Sequence, residues 1–183
     1  MRTSNSSIPK FQLGIIFIWL SFTVVAFAYF STEKLVRFDE DKKLVNVDYE
    51  AFSSYLSAYS EAKDTNEALP TSNNKYHTVL HFSTPNCDCQ KYSDKHIKDI
   101  NKLAVEHSFI VKNIVLHKDT LIPSTPSIAL LDDSGVVIYF GPYGQGIACS
   151  QTSGYAQTML NNYIKGYSAN IVIKEAKGCY CKV

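Results

Sequence analysis

Cysteine is the residue in this chain of 183 best suited to chemistry, and four of its five copies fall in two Cys-x-Cys pairs. Cys87 and Cys89 lie mid-chain, Cys179 and Cys181 near the end, and Cys149 stands alone. A thiolate is both a nucleophile toward disulfides and a soft metal ligand, so such pairs admit disulfide exchange or capture of copper(I) or zinc. Compartment separates the two: paired cysteines in a reducing cytosol point to metal or transient redox chemistry, and in an exported protein to disulfides. The first pair follows the β-branched, apolar run Thr78-Val79-Leu80-His81-Phe82, which stops at Ser83-Thr84-Pro85. A strand that delivers cysteines to the first turn of a helix puts sulfur where the local field favours thiolate.

The bulk composition bears on compartment and partners. With 45% hydrophobic and 19% charged residues the chain is ordinary for a globular domain, and a net charge of +1 gives no electrostatic footprint for nucleic acid. Phe11 to Phe30 carries no charge. At about 1.5 Å per residue it matches the roughly 30 Å hydrocarbon core of a bilayer. Arg2 and Lys10 precede it like the positive start of an export signal. Ala26-Phe27-Ala28 resembles a signal-peptidase site, while Tyr29 and Phe30 suit the interfacial belt of an uncleaved anchor, which is the reading adopted. Lys34, Arg37, Lys42 and Lys43 follow the span, so the positive-inside rule by itself does not export the C-terminal part. The signal-like start and the paired cysteines agree on an exported domain held by a single-pass anchor.

The expected organisation is then an n-region at 1–10, the anchor at 11–30, a charged stalk at 31–43, a domain at 44–167 and a mobile tail at 168–183. Leu44-Val45-Asn46-Val47 reads as a short edge strand, and Asp48 caps a helix to about Ala62 with Phe52, Tyr55, Leu56 and Tyr59 on one face. Residues 64–75 are loop. A strand at 76–83, a helix from the cysteines to about His107 and a strand at 108–117 make a βαβ unit, hence a parallel pair. Lys118 to Thr125 is a short connection. Two apolar runs around Asp132-Asp133-Ser134-Gly135 make a β-hairpin, and Tyr155 to Tyr167 a closing amphipathic helix.

This order, βαβ, then Pro-led hairpin, then helix, resembles the thioredoxin-like core, an α/β fold with a mixed central sheet flanked by helices. Phe82-Ser83-Thr84-Pro85-Asn86-Cys87 is similar to that family's run from strand end to nucleophilic cysteine, and Thr125-Pro126 to its Thr and cis-proline. Anchor, domain and Gly-Cys-x-Cys end together resemble membrane-anchored bacterial thioredoxin-like proteins. Three departures are visible: Cys87-Asp88-Cys89 replaces Cys-x-x-Cys, Asn86 replaces the usual Trp, and about eight residues replace the helix before the proline.

The resemblance implies a thiol–disulfide oxidoreductase with no cofactor, acting on protein thiols or disulfides with a separate redox partner. Cys87 is then the nucleophile, Cys89 the resolving cysteine, and Pro126 and Thr125 the lining of the substrate groove. Asp88 opposes a thiolate by its charge, and a disulfide across one intervening residue is strained, which favours oxidation or isomerisation over strong reduction. Cys179 and Cys181 are a second dithiol that relays electrons, or a staple bridged to Cys149 or to one another. The competing reading is copper(I) or zinc binding through the Cys-x-Cys pairs, with His77, His81 and His96 near the first pair in sequence. A redox-inert binding module on the same fold, or a static disulfide at Cys87–Cys89, is the third.

Overall fold

In the computed structural model the described residues are 10–32, 35–61, 76–119, 121–146 and 154–183. They fall into two units, one ending at Lys34 and one from Leu35 to Val183. The first contains α1, Lys10–Thr32, which is long and apolar enough to cross a membrane, with side chains such as Phe17, Trp19 and Phe27 exposed. Residues 64–75 and Cys149 lie outside the described residues.

The second unit carries, in order, β1 (Val36–Arg37), α2 (Tyr49–Glu61), β2 (Thr78–Ser83), α3 (Asp94–Glu106), β3 (Ile110–Val115), β4 (Ser124–Thr125), β5 (Ser127–Leu131), β6 (Val137–Gly141), α4 (Tyr155–Ile164), β7 (Ile171–Val172), β8 (Lys177–Gly178) and β9 (Cys181–Lys182). Its centre is a five-stranded mixed sheet in the order β3-β2-β5-β6-β7. β2 and β3 pair in parallel from Thr78↔Ile110 to Ser83↔Val115, the pairing that a helical crossover through α3 requires. β5 returns antiparallel to β2 and to β6, and β7 joins β6 in parallel.

Alternation along β2 builds both faces of the core. Leu80 and Phe82 pack with Phe52 and Leu56 of α2, and with Ala129, Leu131 and Phe140. Val79 faces the other way, toward Ile100 and Ala104 of α3 and Ala156 and Leu160 of α4. Each fully buried apolar side chain of this kind stabilises the fold by about 1.5–3 kcal/mol. Asp48 caps α2 through a carboxylate oxygen that accepts the Ala51 N–H at 2.9 Å. In the hairpin turn Asp132 Oδ1 accepts the N–H groups of Ser134 and Val136, both at 2.8 Å, and Gly135 takes a left-handed φ of 82°.

Three expectations change. Leu44 to Asn46 forms turns rather than an edge strand, because the Asp39 carboxylate accepts the Lys43 and Leu44 N–H groups and curls the chain there. The residues read as the end of a stalk join the packed unit: β1 pairs with β8, and Phe38 is fully buried beside Phe140. The segment read as a mobile tail supplies β7, β8 and β9, and its Ala176 is buried in the core.

Candidate functional site

β2 ends at Ser83, and the chain then turns through Pro85 and Asn86, whose φ of 60° is left-handed. Cys87 and Cys89 sit in turns closed by i to i+3 bonds, Gln90 N–H to Cys87 O and Tyr92 N–H to Cys89 O, each at 3.1 Å. A single 3-10 turn, Gln90–Tyr92, precedes α3, which starts at Asp94. The expectation of cysteines in the first turn of a helix is therefore corrected: the tight bonds put both cysteines ahead of α3, with Cys89 capping the 3-10 turn that leads into it.

The tail reaches the same place from the opposite side. Phe38 N–H donates to Ala176 O at 2.8 Å, Gly146 N–H to Lys177 O at 2.9 Å, and Cys179 N–H to Gly146 O at 3.2 Å. Tyr180 donates to Gly144 O at 2.7 Å, and its ring stands edge-on to Phe38. Gly178 makes that ring position available, since a Cβ there would lie 2.6 Å from the Tyr180 ring. β9 then pairs antiparallel with β4 in the register Ser124↔Lys182 and Thr125↔Cys181. Lys43 fixes the end by donating to the backbone oxygens of Asp119, Ile122 and Val183 at 3.0, 3.3 and 2.9 Å.

These paths bring all four paired cysteines together. Cys87 is bonded to Cys181 and Cys89 to Cys179, with Cα–Cα distances of 5.9 and 5.4 Å. The sulfurs of Cys87, Cys89 and Cys181 lie within 4.8 Å of one another. Neither a Cys87–Cys89 ring nor a Cys179–Cys181 ring forms. Cys89 is buried, whereas Cys87 and Cys181 are partly exposed. Sequence reasoning missed this cross-pairing, which the equal spacing of the two pairs permits but does not select. The two bonds join residues whose numbers sum to the same value, as for two equally spaced pairs on antiparallel segments.

As staples the two bonds are largely redundant. The first closes a separation of 94 residues and so removes roughly 5 kcal/mol of unfolded-chain entropy. With it closed, the second spans an effective loop of only about six residues and adds roughly 2 kcal/mol.

Thr125 completes the site. Its bond to Pro126 is cis, the isomer the resemblance implied, and Pro126, which has no N–H, separates β4 from β5. The Thr125 hydroxyl is hydrogen-bonded to that of Thr84 at 2.7 Å, and its carbonyl oxygen lies 3.8 Å from Cys87 Sγ. Ser127 Oγ and Gln90 Oε1, adjacent in sequence to Pro126 and Cys89, are buried without a hydrogen-bond partner among the described residues.

The histidines are elsewhere engaged. His77 lies just before β2, at the end of that strand remote from Cys87, within 3.3 Å of the Tyr163 hydroxyl. His81 is hydrogen-bonded through Nδ1 to Tyr143 at 2.5 Å and through Nε2 to Asn101 at 2.6 Å. Burial outweighs the Asn101 bond and lowers its pKa to about 4, which keeps the ring neutral. His96 is buried on α3. Among the described residues the grouping with metal-ligand spacing contains cysteines only.

The short connection before β4 is held by Asp119. Burial alone would raise its pKa, but the Ile122 N–H, the Tyr55 and Tyr59 hydroxyls and the Leu121 N–H together lower it. Tyr55 and Tyr59 donate to Oδ2 at 2.5 and 2.7 Å, tying this connection to α2. No helix is needed to bring the chain from β3 to β4.

The chain belongs to the family described as a domain of unknown function (DUF6436), whose profile matches residues 56–183. The match takes in both cysteine pairs and Thr125-Pro126, and α1 and β1 precede it. No curated protein and no solved structure matches the chain.

Proposed function

We propose that this is a membrane-anchored, thioredoxin-like thiol–disulfide oxidoreductase that exchanges disulfides with exported protein substrates and a redox partner through Cys87. The observation that carries the reading is the convergence of four cysteines beside Thr125-Pro126 in two disulfides that are largely redundant as staples. The order of β2, α3, β3, β5 and β6 in a mixed sheet resembles a thioredoxin-like core, which supports the same reading. Cys87 is the attacking sulfur, being partly exposed and next to the Thr125 edge, with Cys89 beside it. Pro126 and Thr125 line the groove. A bilayer helix at α1 and persistent disulfides both favour a domain on the periplasmic face of the bacterial inner membrane.

The test is catalysed reduction of a protein disulfide by the full chain in detergent, with dithiothreitol as electron source. Wild type is expected to accelerate the reaction and Cys87→Ser to fall to the uncatalysed rate. Equal rates for the two would remove the reading.

A second reading rests on the three sulfurs within 4.8 Å: once reduced, the cluster offers thiolates to zinc or copper(I). Neither bond can ligate a metal while closed. Stoichiometric zinc on the reduced full chain, lost in Cys89→Ser, would favour this use of the site.

A further inference from the structure

The disulfide pattern divides the labour between the two bonds. Cys89 is 8% exposed and its bond holds Cys179, whose N–H is also bound to Gly146. Residues 176–180 are fixed further by β1, Gly146 and Gly144. Beyond Tyr180, the chain is held by the two-residue ladder to β4, the Val183 N–H to Pro123 O, Lys43 and the Cys87–Cys181 bond. Cys181 and Val183 are partly exposed and Lys182 is exposed. Opening Cys87–Cys181 removes the one covalent hold on this three-residue segment, whose stem stays anchored through Cys179, and leaves it on the β4 ladder, Lys43, the Lys182 ion pairs with Glu40 and Asp41, and the packing of Val183 on the core.

Resting on the exchange reading above, we propose that Cys181 is the resolving cysteine, and that β9 yields the β4 edge to an extended, cysteine-bearing strand of the substrate and then reclaims it. In β9 the chain shows what such an occupant looks like: an antiparallel strand with its cysteine opposite Thr125 and its sulfur on Cys87. Freed of β9, Ser124 and Thr125 present unpaired edge groups that any extended peptide can satisfy.

The steps balance. A dithiol reductant attacks Cys181 Sγ, releasing Cys87 as thiolate. Its second thiol then closes the reductant's own disulfide and frees Cys181, so two electrons and two protons pass to the protein. Cys87 attacks one sulfur of the substrate disulfide, forming a mixed disulfide and expelling the other sulfur as thiolate. Cys181 attacks Cys87 Sγ, reforms the Cys87–Cys181 bond and releases the second substrate sulfur. The Cys89–Cys179 tether keeps Cys181 at high effective concentration throughout.

The experiment offers the full chain, reduced until alkylation shows Cys87 free and Cys89–Cys179 still closed and then freed of reductant, a peptide matching residues 177–183 with Ser at the Cys179 position. Its cysteine is presented as a glutathione disulfide, and adducts on Cys87 are followed by mass. In Cys181→Ser the Cys87–peptide adduct is expected to persist, at least ~10-fold above wild type, because the tethered thiol that clears it is gone. In Cys89→Ser/Cys179→Ser it is expected to clear through Cys181, more slowly than in wild type, since residues 176–180 are then held near Cys87 by β1, Gly146 and Gly144 alone. The same peptide with proline at the Val183 position, lacking the N–H that Val183 gives to Pro123 O, is expected to be captured about 10-fold more slowly. Persistence in the Cys89→Ser/Cys179→Ser variant but not in Cys181→Ser, or equal capture of the two peptides, overturns the proposal while leaving exchange at Cys87 intact. No adduct on Cys87 in any variant, even with glutathione disulfide alone, removes the exchange reading itself.

Discussion

Thr125 and Cys181 face each other across an antiparallel backbone pair, and the sulfur of Cys181 is bonded to Cys87. Backbone pairing and a disulfide thus meet on one residue, Cys181. A cysteine that served only as a staple would need no ladder beside it, and a strand that served only to close the sheet would need no sulfur.

Redundancy of the two disulfides is measurable. Cys89→Ser/Cys179→Ser, or Cys87→Ser/Cys181→Ser, is expected to cost roughly 2 kcal/mol of unfolding free energy, since one long-range bond remains in each. Opening both is expected to cost roughly 7 kcal/mol, more than the sum of the two separate losses. Urea unfolding of each variant checks this; strictly additive costs would show that the bonds act on separate loops.

Buried His81 sets a pH dependence of stability. Its pKa is lowered to about 4 from 6.5, so below pH 6.5 the unfolded chain takes up a proton that the folded chain refuses. Stability is therefore full above about pH 6.5, falls as the pH drops toward 4, and by that point has lost roughly 3 kcal/mol from this group. The lowered pKa of Asp119 acts in the same direction in more acid solution. Urea midpoints from pH 7 to pH 4 are expected to fall for wild type and to flatten for His81→Asn in the range above pH 4.5.

Much of the fold was legible because periodicity and turn chemistry agree locally. The parallel β2–β3 pair, the hairpin around Gly135 and the Asp48 cap each follow from residues within a few positions of one another. What escaped depends on contacts distant in sequence. Phe38 reads as part of a charged stalk until β8 pairs with β1 and Phe140 covers its ring. Ile171-Val172 is too short to announce a strand without β6 beside it. The four cysteines were visible as reactive, but their partners were not, because composition carries no information on which segments of a 183-residue chain meet.

Close approach at Gly178 gives a test of tail docking. Gly178→Ala puts a methyl group against the Tyr180 ring and is expected to cost about 1–3 kcal/mol, with faster amide exchange at 179–183. In a Tyr180→Ala background the same substitution is expected to cost less, with only the Gly146 carbonyl oxygen, 3.1 Å from the added Cβ, left to give way. An equal cost in both backgrounds would place the strain elsewhere.

Removal of residues 1–34 tests the anchor. The full chain is expected to sediment with membranes and to resist high-salt extraction, whereas the chain from Leu35 onward stays in the aqueous phase with its disulfides formed. Salt-extractable full-length protein would show that α1 does not span a bilayer.

The central claim, that the site exchanges disulfides, is tested most directly by equilibrating the full chain with graded glutathione redox buffers. Acid quenching, alkylation and peptide mapping then read the Cys87–Cys181 bond. Exchange requires that bond to open and close reversibly, at a potential above about −300 mV, the region below which structural disulfides of exported proteins lie. A Cys87–Cys181 bond that stays closed across the whole series would contradict it, and the cluster would then be a staple.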